Sequence, residues 1–211
     1  MPRTSSARER LIDRACQLVH TRSYAATSVE DLCLAAGVQK GSFYHFFTAK
    51  QELMLAAIDR QWATARAEIL EPAFSPDLPP PERFSRFFRL AAARQRGELV
   101  RGCPFGNLAA EVGTLEPSIR ERVAQVFDGY LRYFEAALSD AANAGMLDPA
   151  DVKVTAAVVL ASFQGALLLA KTRDDPTLIE QVGDRVVRLL AGRPSVTQAA
   201  SSTPSRRRPS Q

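Results

Sequence analysis

The apolar positions of this chain recur with helical period almost from its start, and no stretch alternates long enough to predict a strand. In "SARERLIDRACQLVH", Leu11, Ile12, Ala15, Cys16 and Val19 share one face, preceded by Ser6 and Glu9 at capping-box spacing. The pattern stops near "TRSYAAT" and resumes with Val29, Leu32, Cys33 and Ala36. That second helix is expected to begin at Thr27 or Ser28, with Thr27 and Glu30 as its capping box, and to end at Gly37. A third, short helix is predicted from Gln39 to about Phe47. Thr48 and Gln51 repeat the cap spacing and open a fourth helix. Its stripe of Met54, Ile58, Trp62, Ala65 and Ile69 continues until Pro72 is expected to halt it.

"PAFSPDLPPP" is a proline-rich break without periodicity. Beyond it Phe84, Phe87, Phe88 and Ala91 mark one side of a helix, "GELVRGCPFG" interrupts the pattern, and "NLAAEVG" predicts a short helix. Pro117 opens a long helix carrying Ile119, Val123, Phe127, Tyr130, Phe134 and Leu138. Asp148-Pro149 and Asp175-Pro176 pair an acidic cap with proline at a first helical position and launch the last two helices, the second ending near Gly192. From Arg193 the chain turns to Ser, Thr, Pro and Arg and predicts a disordered basic tail, 193–211. The fold class expected is all-α, with about nine helices.

Composition supports that picture: Ala, Leu, Arg and Glu dominate, and 46% hydrophobic residues over 211 positions suffice for a real core. Three widely spaced cysteines, Cys16, Cys33 and Cys103, suit a reducing cytosol better than a disulfide scaffold. No apolar run follows the basic start, so no signal peptide is read. The run Ala156–Ala170, interrupted by Ser162, Gln164 and Gly165, reads as too short for a bilayer span, and a cytoplasmic protein is expected. The net charge of +4 is a weaker nucleic-acid signal than it looks, because Arg206, Arg207 and Arg208 supply three of the four units. Any basic surface is local. In residues 1–50, Arg3, Arg8, Arg10, Arg14, Arg22, Lys40 and Lys50 outnumber Glu9, Asp13, Glu30 and Asp31.

The segment "GVQKGSFYHFFTAK" carries the sharpest chemistry. On a helical wheel Phe43 and Phe47 coincide with Phe46 beside them, while His45 and Gly41 lie opposite, flanked by Ser42 and Lys40. The aromatics anchor the helix, leaving an outer face that is small and polar. With the preceding helix and the Gly37 turn, this has the proportions of a helix-turn-helix whose second helix enters a major groove. Lysines at either end can neutralise phosphates, Tyr44 can donate to one, and His45 can meet a base edge. Aromatics at helical spacing are more often plain core, and the motif geometry alone leaves a small helical bundle without DNA binding equally open.

The stretch "TSVEDLCLAAGVQKGSFYHFFTAKQEL" closely resembles the DNA-binding signature of the TetR family of one-component bacterial repressors, and the resemblance extends over residues 6 to about 60. It implies three N-terminal helices as the DNA module, here 1–47, and a fourth joining it to a ligand-binding and dimerisation bundle, here 48–192. It also implies DNA contacts at Thr27, Gln39, Lys40, Gly41, Ser42, Tyr44, His45 and Lys50. Of these, Thr27, Tyr44 and Lys50 would hold phosphates, while Gln39, Lys40 and His45 would meet base edges. Gln39 replaces the serine common at that helix start.

The second half resembles the family's sensor domains more loosely, through "RGCPFGNLAAEV" and "SFQGALLLAK". Its aromatics are mostly expected in the core. A site for a largely apolar inducer would draw on Phe84, Phe88, Cys103, Phe105, Asn107, Phe127, Tyr130, Phe134, Phe163 and Gln164. Helix 152–171, apolar almost all round, needs cover on several sides, and with 177–191 it is expected to meet a second copy. Cys103, beside Arg101 and ahead of a short helix, raises the alternative of a thiol switch for electrophiles or oxidants. Catalysis is not expected. Both histidines, His20 and His45, lie in the DNA module, away from Cys103. Phosphate loop, metal-ligand spacing and nucleophile elbow are all missing, so no metal or cofactor is expected. The remaining alternative is a helical carrier that binds no DNA.

Overall fold

The structure is a computed structural model that describes residues 3–21, 24–97, 101–112 and 116–191; the basic tail expected at 193–211 lies outside them. Among the described residues the chain is all helical, with nine helices in order. The first three are α1 (Arg3–Thr21), α2 (Val29–Ala36) and α3 (Lys40–Phe46). Helix α4 starts at Lys50 and runs regularly to Ala65, through a π turn at Arg66–Leu70, to a last turn at Glu71–Ala73. Then follow α5 (Pro80–Arg94), α6 (Pro104–Val112), α7 (Pro117–Asn143), α8 (Val152–Arg173) and α9 (Thr177–Ala191).

Several boundaries differ from expectation for local reasons. Helix α1 begins ahead of Ser6, which therefore sits inside it rather than at its cap. Helix α2 is capped by Ser28, not Thr27. Ser28 is extended (φ −89°), its hydroxyl accepts from the Asp31 N–H, and Asp31 accepts in return from the Ser28 N–H at 2.9 Å, while Thr27 is buried. At α4 it is Glu52, not Gln51, that reaches back, accepting from the Thr48 N–H at 2.7 Å. Pro72 does not stop α4. The π turn just before it sends the Glu71 N–H to the Arg66 carbonyl, re-registering the ladder where proline has no N–H to give. Helix α6 starts at Pro104, three residues before the sequence pattern suggests.

Packing makes two bodies that share α4. Helix α1 crosses α2, α3 and α4, burying Leu11, Ile12 and Ala15 against Leu32, Phe43, Phe47, Leu53 and Ala57. Arg60 on α4 ties down α1 through Asp13 (2.8 Å) and Glu9. The larger body packs α9 on α5 and α8, α8 on α7, and α7 on α6 and α4. Its centre is aromatic: Phe74, Phe84, Phe87, Phe134, Tyr130 and Phe163 meet at ring distances of 4.7–6.4 Å. The proline-rich break is held by Arg83, 7% exposed, which donates to the Leu78 and Pro76 carbonyls and pairs with Asp140 of α7 at 2.5 Å.

The outer face of α8 is uncovered. Val154, Val158, Leu168 and Leu169 are roughly half to two-thirds exposed, as is Leu189 of α9. By length and composition the segment Pro149–Arg173 could also cross a bilayer, contrary to expectation, because the helix extends past the apolar run at both ends. Its inner face, with Ala156, Val159, Phe163, Ala166, Leu167 and Ala170, is packed on its neighbours.

Candidate functional site

The short helix α3 is positioned by its turn. Gly37 is left-handed (φ 61°), its N–H bonding the Cys33 and Leu34 carbonyls, and the Val38 N–H returns to Cys33 at 3.0 Å. Phe43 and Phe47 are buried and Phe46 half-buried, so Gln39, Lys40, Gly41, Tyr44 and His45 face outward, with Ser42 at the edge. Tyr44 is 52% exposed and its ring is edge-on to Phe43, an anchor that leaves the hydroxyl outside. Lys40 pairs with Glu30 across the turn, which holds the Glu30 carboxyl below and the Lys40 ammonium above their ordinary values. Both are exposed, so the pair is weak enough for a phosphate to replace.

Two of the contacts implied by resemblance are not on this face. Thr27 is buried. Lys50 turns inward, donating to the Tyr24 and Thr27 carbonyls at 2.8 and 3.0 Å with its ammonium 4.0 Å from the Tyr24 ring centre. Its charge secures the joint between α2 and α4. The local basic surface shrinks further, since Arg10 caps the α2 carboxyl end at Ala36 (3.0 Å) and Arg14 bonds Gln17.

Gly41 is informative because the free fold does not need it. It lies inside α3, and an added Cβ would meet nothing within 4 Å. Alanine there should stabilise the helix by about 1 kcal/mol. If the face closes on a duplex, Gly41→Ala should nevertheless weaken operator binding while raising the melting temperature. Thermal unfolding and fluorescence anisotropy on the same preparation check this, and tighter binding by the stabilised variant would refute close approach.

The DNA module touches the larger body chiefly through α6 and α7. Glu111 of α6 accepts from the Ala25 N–H at 2.7 Å, in the turn that leads into the α2 cap. The Tyr24 hydroxyl donates to Glu116 at 3.4 Å; burial, then the Glu116 charge, push this phenol up to about 12, so it remains a donor at neutral pH. Gln51 donates to Ser118, and Arg122 pairs with Asp59 at 2.6 Å.

Behind α6 lies a cavity of about 300 Å³, walled by α4, α5, α6, α7 and α8. Of the ligand residues expected from sequence, Cys103, Phe105, Tyr130 and Phe163 are on its wall. The others are not. Phe84 and Phe134 belong to the aromatic core behind, Phe88 packs under Gly183 of α9, and Phe127 is half-buried on another side of α7. Asn107 pins the loop by bonding the Arg101 carbonyl (3.5 Å) and Lys171 (3.3 Å), and Gln164 has its amide nitrogen buried without a partner. Sequence reading missed the apolar wall residues Ile69, Ala91 and Leu167, and also Arg101, Gln61 and the polar run Arg94, Gln95 and Arg96. The pattern of that run, "ARQR", reads as a solvated helix end.

Cys103 is itself structural. Its sulfur accepts from the Gly106 N–H at 3.4 Å, capping α6, and burial pushes the thiol above its ordinary value, against the lowering effect of that N–H. A thiol held protonated and engaged is a poor nucleophile.

A three-helix module whose third helix is exposed, joined to a bundle with a partly open cavity, defines the class: a one-component DNA-binding regulator. Similarity to known proteins carries this to a family. The profile "Bacterial regulatory proteins, tetR family" matches residues 11–57, and "Tetracyclin repressor-like, C-terminal domain" matches residues 80–186. The transcriptional regulator AcuR of Cereibacter sphaeroides is 32% identical, over 83% of this chain and 82% of its own length. The HTH-type transcriptional repressor DhaR of a Mycobacterium species is 26% identical, over 82% and 87%. The crystal structure of a TetR regulatory protein from Rhodobacter sphaeroides superposes with a TM-score of 0.77 at 30% identity, covering 86% of this chain and 97% of that one. The chain belongs to the TetR family. It is a DNA-binding transcriptional regulator and not an enzyme.

Proposed function

We propose that this chain is a repressor that binds a pseudo-palindromic operator as a dimer and is released when a small molecule fills the cavity. Residues 1–47 would read DNA, and residues 48–192 would sense the inducer and pair with a second copy. Gln39, Lys40, Gly41, Ser42, Tyr44 and His45 make the DNA face. Gln39, Lys40 and His45 are suited to base edges and Tyr44 to a phosphate, and Lys40 can also neutralise one. The observation that carries the release mechanism is the Glu111 bond to Ala25. Helix α6 walls the cavity on one side and holds the turn before α2 on the other. A ligand that shifts α6 therefore changes where α2 and α3 stand. To act as an inducer it must bind the displaced arrangement more tightly than the DNA-bound one.

Selection of duplexes from a random pool tests the reading. A defined inverted repeat should emerge, and His45→Ala should lose roughly 1–3 kcal/mol of discrimination at one position per half-site. Tyr44→Phe should weaken all sequences about equally, as loss of a phosphate contact does. If the wild-type protein shows no preference for selected over random duplexes, α3 is not a sequence reader. The thiol-switch alternative has nothing comparable behind it, given the capping role of Cys103.

A further inference from the structure

The polar groups of the cavity wall sort into those already engaged and those not. Arg94 pairs with Glu68 and Arg96 with Glu180 at 2.8 Å. Gln95 is consumed by the loop, accepting from the Arg101 and Gly102 N–H groups at 3.1 Å and donating to the Gly102 carbonyl at 3.2 Å. Gln61 donates to the Cys16 carbonyl. Two wall residues remain: Arg101, whose side chain makes no ion pair or hydrogen bond with a described residue, and buried Tyr130, whose hydroxyl likewise bonds no described residue. No Asp or Glu is among the described residues that line the cavity. The Arg94 and Arg96 charges are balanced by their glutamates, and Arg101 has no such partner among the described residues. The described wall also has an apolar part, with Ile69, Phe105, Phe163 and Leu167.

We propose that the effector of this cavity is a small amphipathic monocarboxylate, its anionic head on Arg101 at the mouth and its apolar body against Phe105, Tyr130, Phe163 and Leu167. This rests on the reading of the cavity as the inducer site and names the ligand class. Two donors unengaged by described residues, one of them cationic, with no acidic group among the described wall residues, are matched by an acceptor-rich anion. A cation would meet Arg101 unfavourably, and a neutral apolar molecule would leave its charge unanswered. A volume of about 300 Å³ lies at the small end of ligand sites, so the body is short-chain aliphatic or a single ring. Arg101 also borders a cleft with Arg14, Asp31 and Leu34 of the DNA module. Drawing its guanidinium onto a carboxylate in the cavity changes the charge facing α1 and α2, so the same contact that selects the ligand can report it.

Trp62, the one tryptophan of the chain, has its ring centre 5.3 Å from that of Tyr130 and serves as a fluorescent reporter of occupancy. The full-length protein is titrated with hexanoate and benzoate, with their amides, and with hexylamine and benzylamine, and each affinity is checked by calorimetry. The acids should bind about tenfold or more tighter than their amides, the scale of one charge-assisted hydrogen bond, and the amines weakest. Arg101→Gln should erase the advantage of acid over amide. If amides or amines bind as tightly as the acids, the anionic class is wrong while the cavity reading stands. If the acid preference survives in Arg101→Gln, the seat of the head group is wrong. If none of the six binds at millimolar concentration, both the class and the cavity reading fall.

Discussion

Leu168→Glu is expected to leave the protein monomeric and to reduce operator affinity by about two orders of magnitude or more, the scale set by losing one of two linked binding modules. The outer face of α8 presents Val154, Val158, Ala161, Gly165 and Leu168 at intervals of four and three residues, one continuous stripe along the helix. Leu168 is 61% exposed, and an added Cβ on Gly165 would meet nothing within 4 Å, so the monomer requires neither the apolar edge nor the small centre. Leu189 extends the patch onto α9. TetR-family regulators form dimers, and this exposed apolar stripe is the face we propose for it. A carboxylate buried there without a partner would oppose association by several kcal/mol. Light scattering gives the mass and anisotropy the affinity, with circular dichroism confirming retained helix. A variant that stays dimeric and binds normally would move the interface elsewhere.

Gly183→Ala should be the most damaging single methyl in the core. Gly183 faces Phe88 where α9 crosses α5, and an added Cβ would overlap the Phe88 Cβ and Cγ and lie 2.9 Å from its Cδ2. The struck atoms are next to the backbone, so rotating the ring does not relieve the clash and the helices must part. Overpacking of this kind costs about 1–3 kcal/mol. For a chain of this length that corresponds to a melting temperature roughly 2–12 °C lower. An unchanged melting temperature by calorimetry would mean that α9 is free to shift on α5. Gly41→Ala makes the opposite comparison, since the same change in open space is expected to stabilise.

Much of the fold was legible in sequence because a helix is a local object. Periodic faces such as Leu11, Ile12 and Ala15, or Ile119, Val123 and Phe134, found their cores as expected, and Gly37 and Pro117 marked the boundaries they favour. The exposed face of α3 was legible for the same reason: with Phe43 and Phe47 inward, a helical wheel already puts Lys40, Gly41, Tyr44 and His45 on the outside. What failed depended on neighbours far along the chain. Lys50 looks like a free phosphate ligand until the Tyr24 ring and the Thr27 carbonyl, more than twenty residues away, are brought to it. Arg83 reads as one more surface charge until the fold presents Asp140 and two loop carbonyls.

The cavity shows the same division. Periodicity placed Phe84, Tyr130 and Phe134 inside, but a residue on an apolar face can meet either another side chain or empty space. Only the crossings of five helices decided that Phe105, Tyr130 and Phe163 border a void while Phe84 and Phe134 fill one another's contacts. They also decided that Arg101 has no counter-charge among the described residues and that Glu111 reaches the DNA module. Hydrophobic period is set by the 3.6-residue turn and is written locally, whereas voids, ion pairs and joints are differences between large opposing packing terms that exist only once the helices have met.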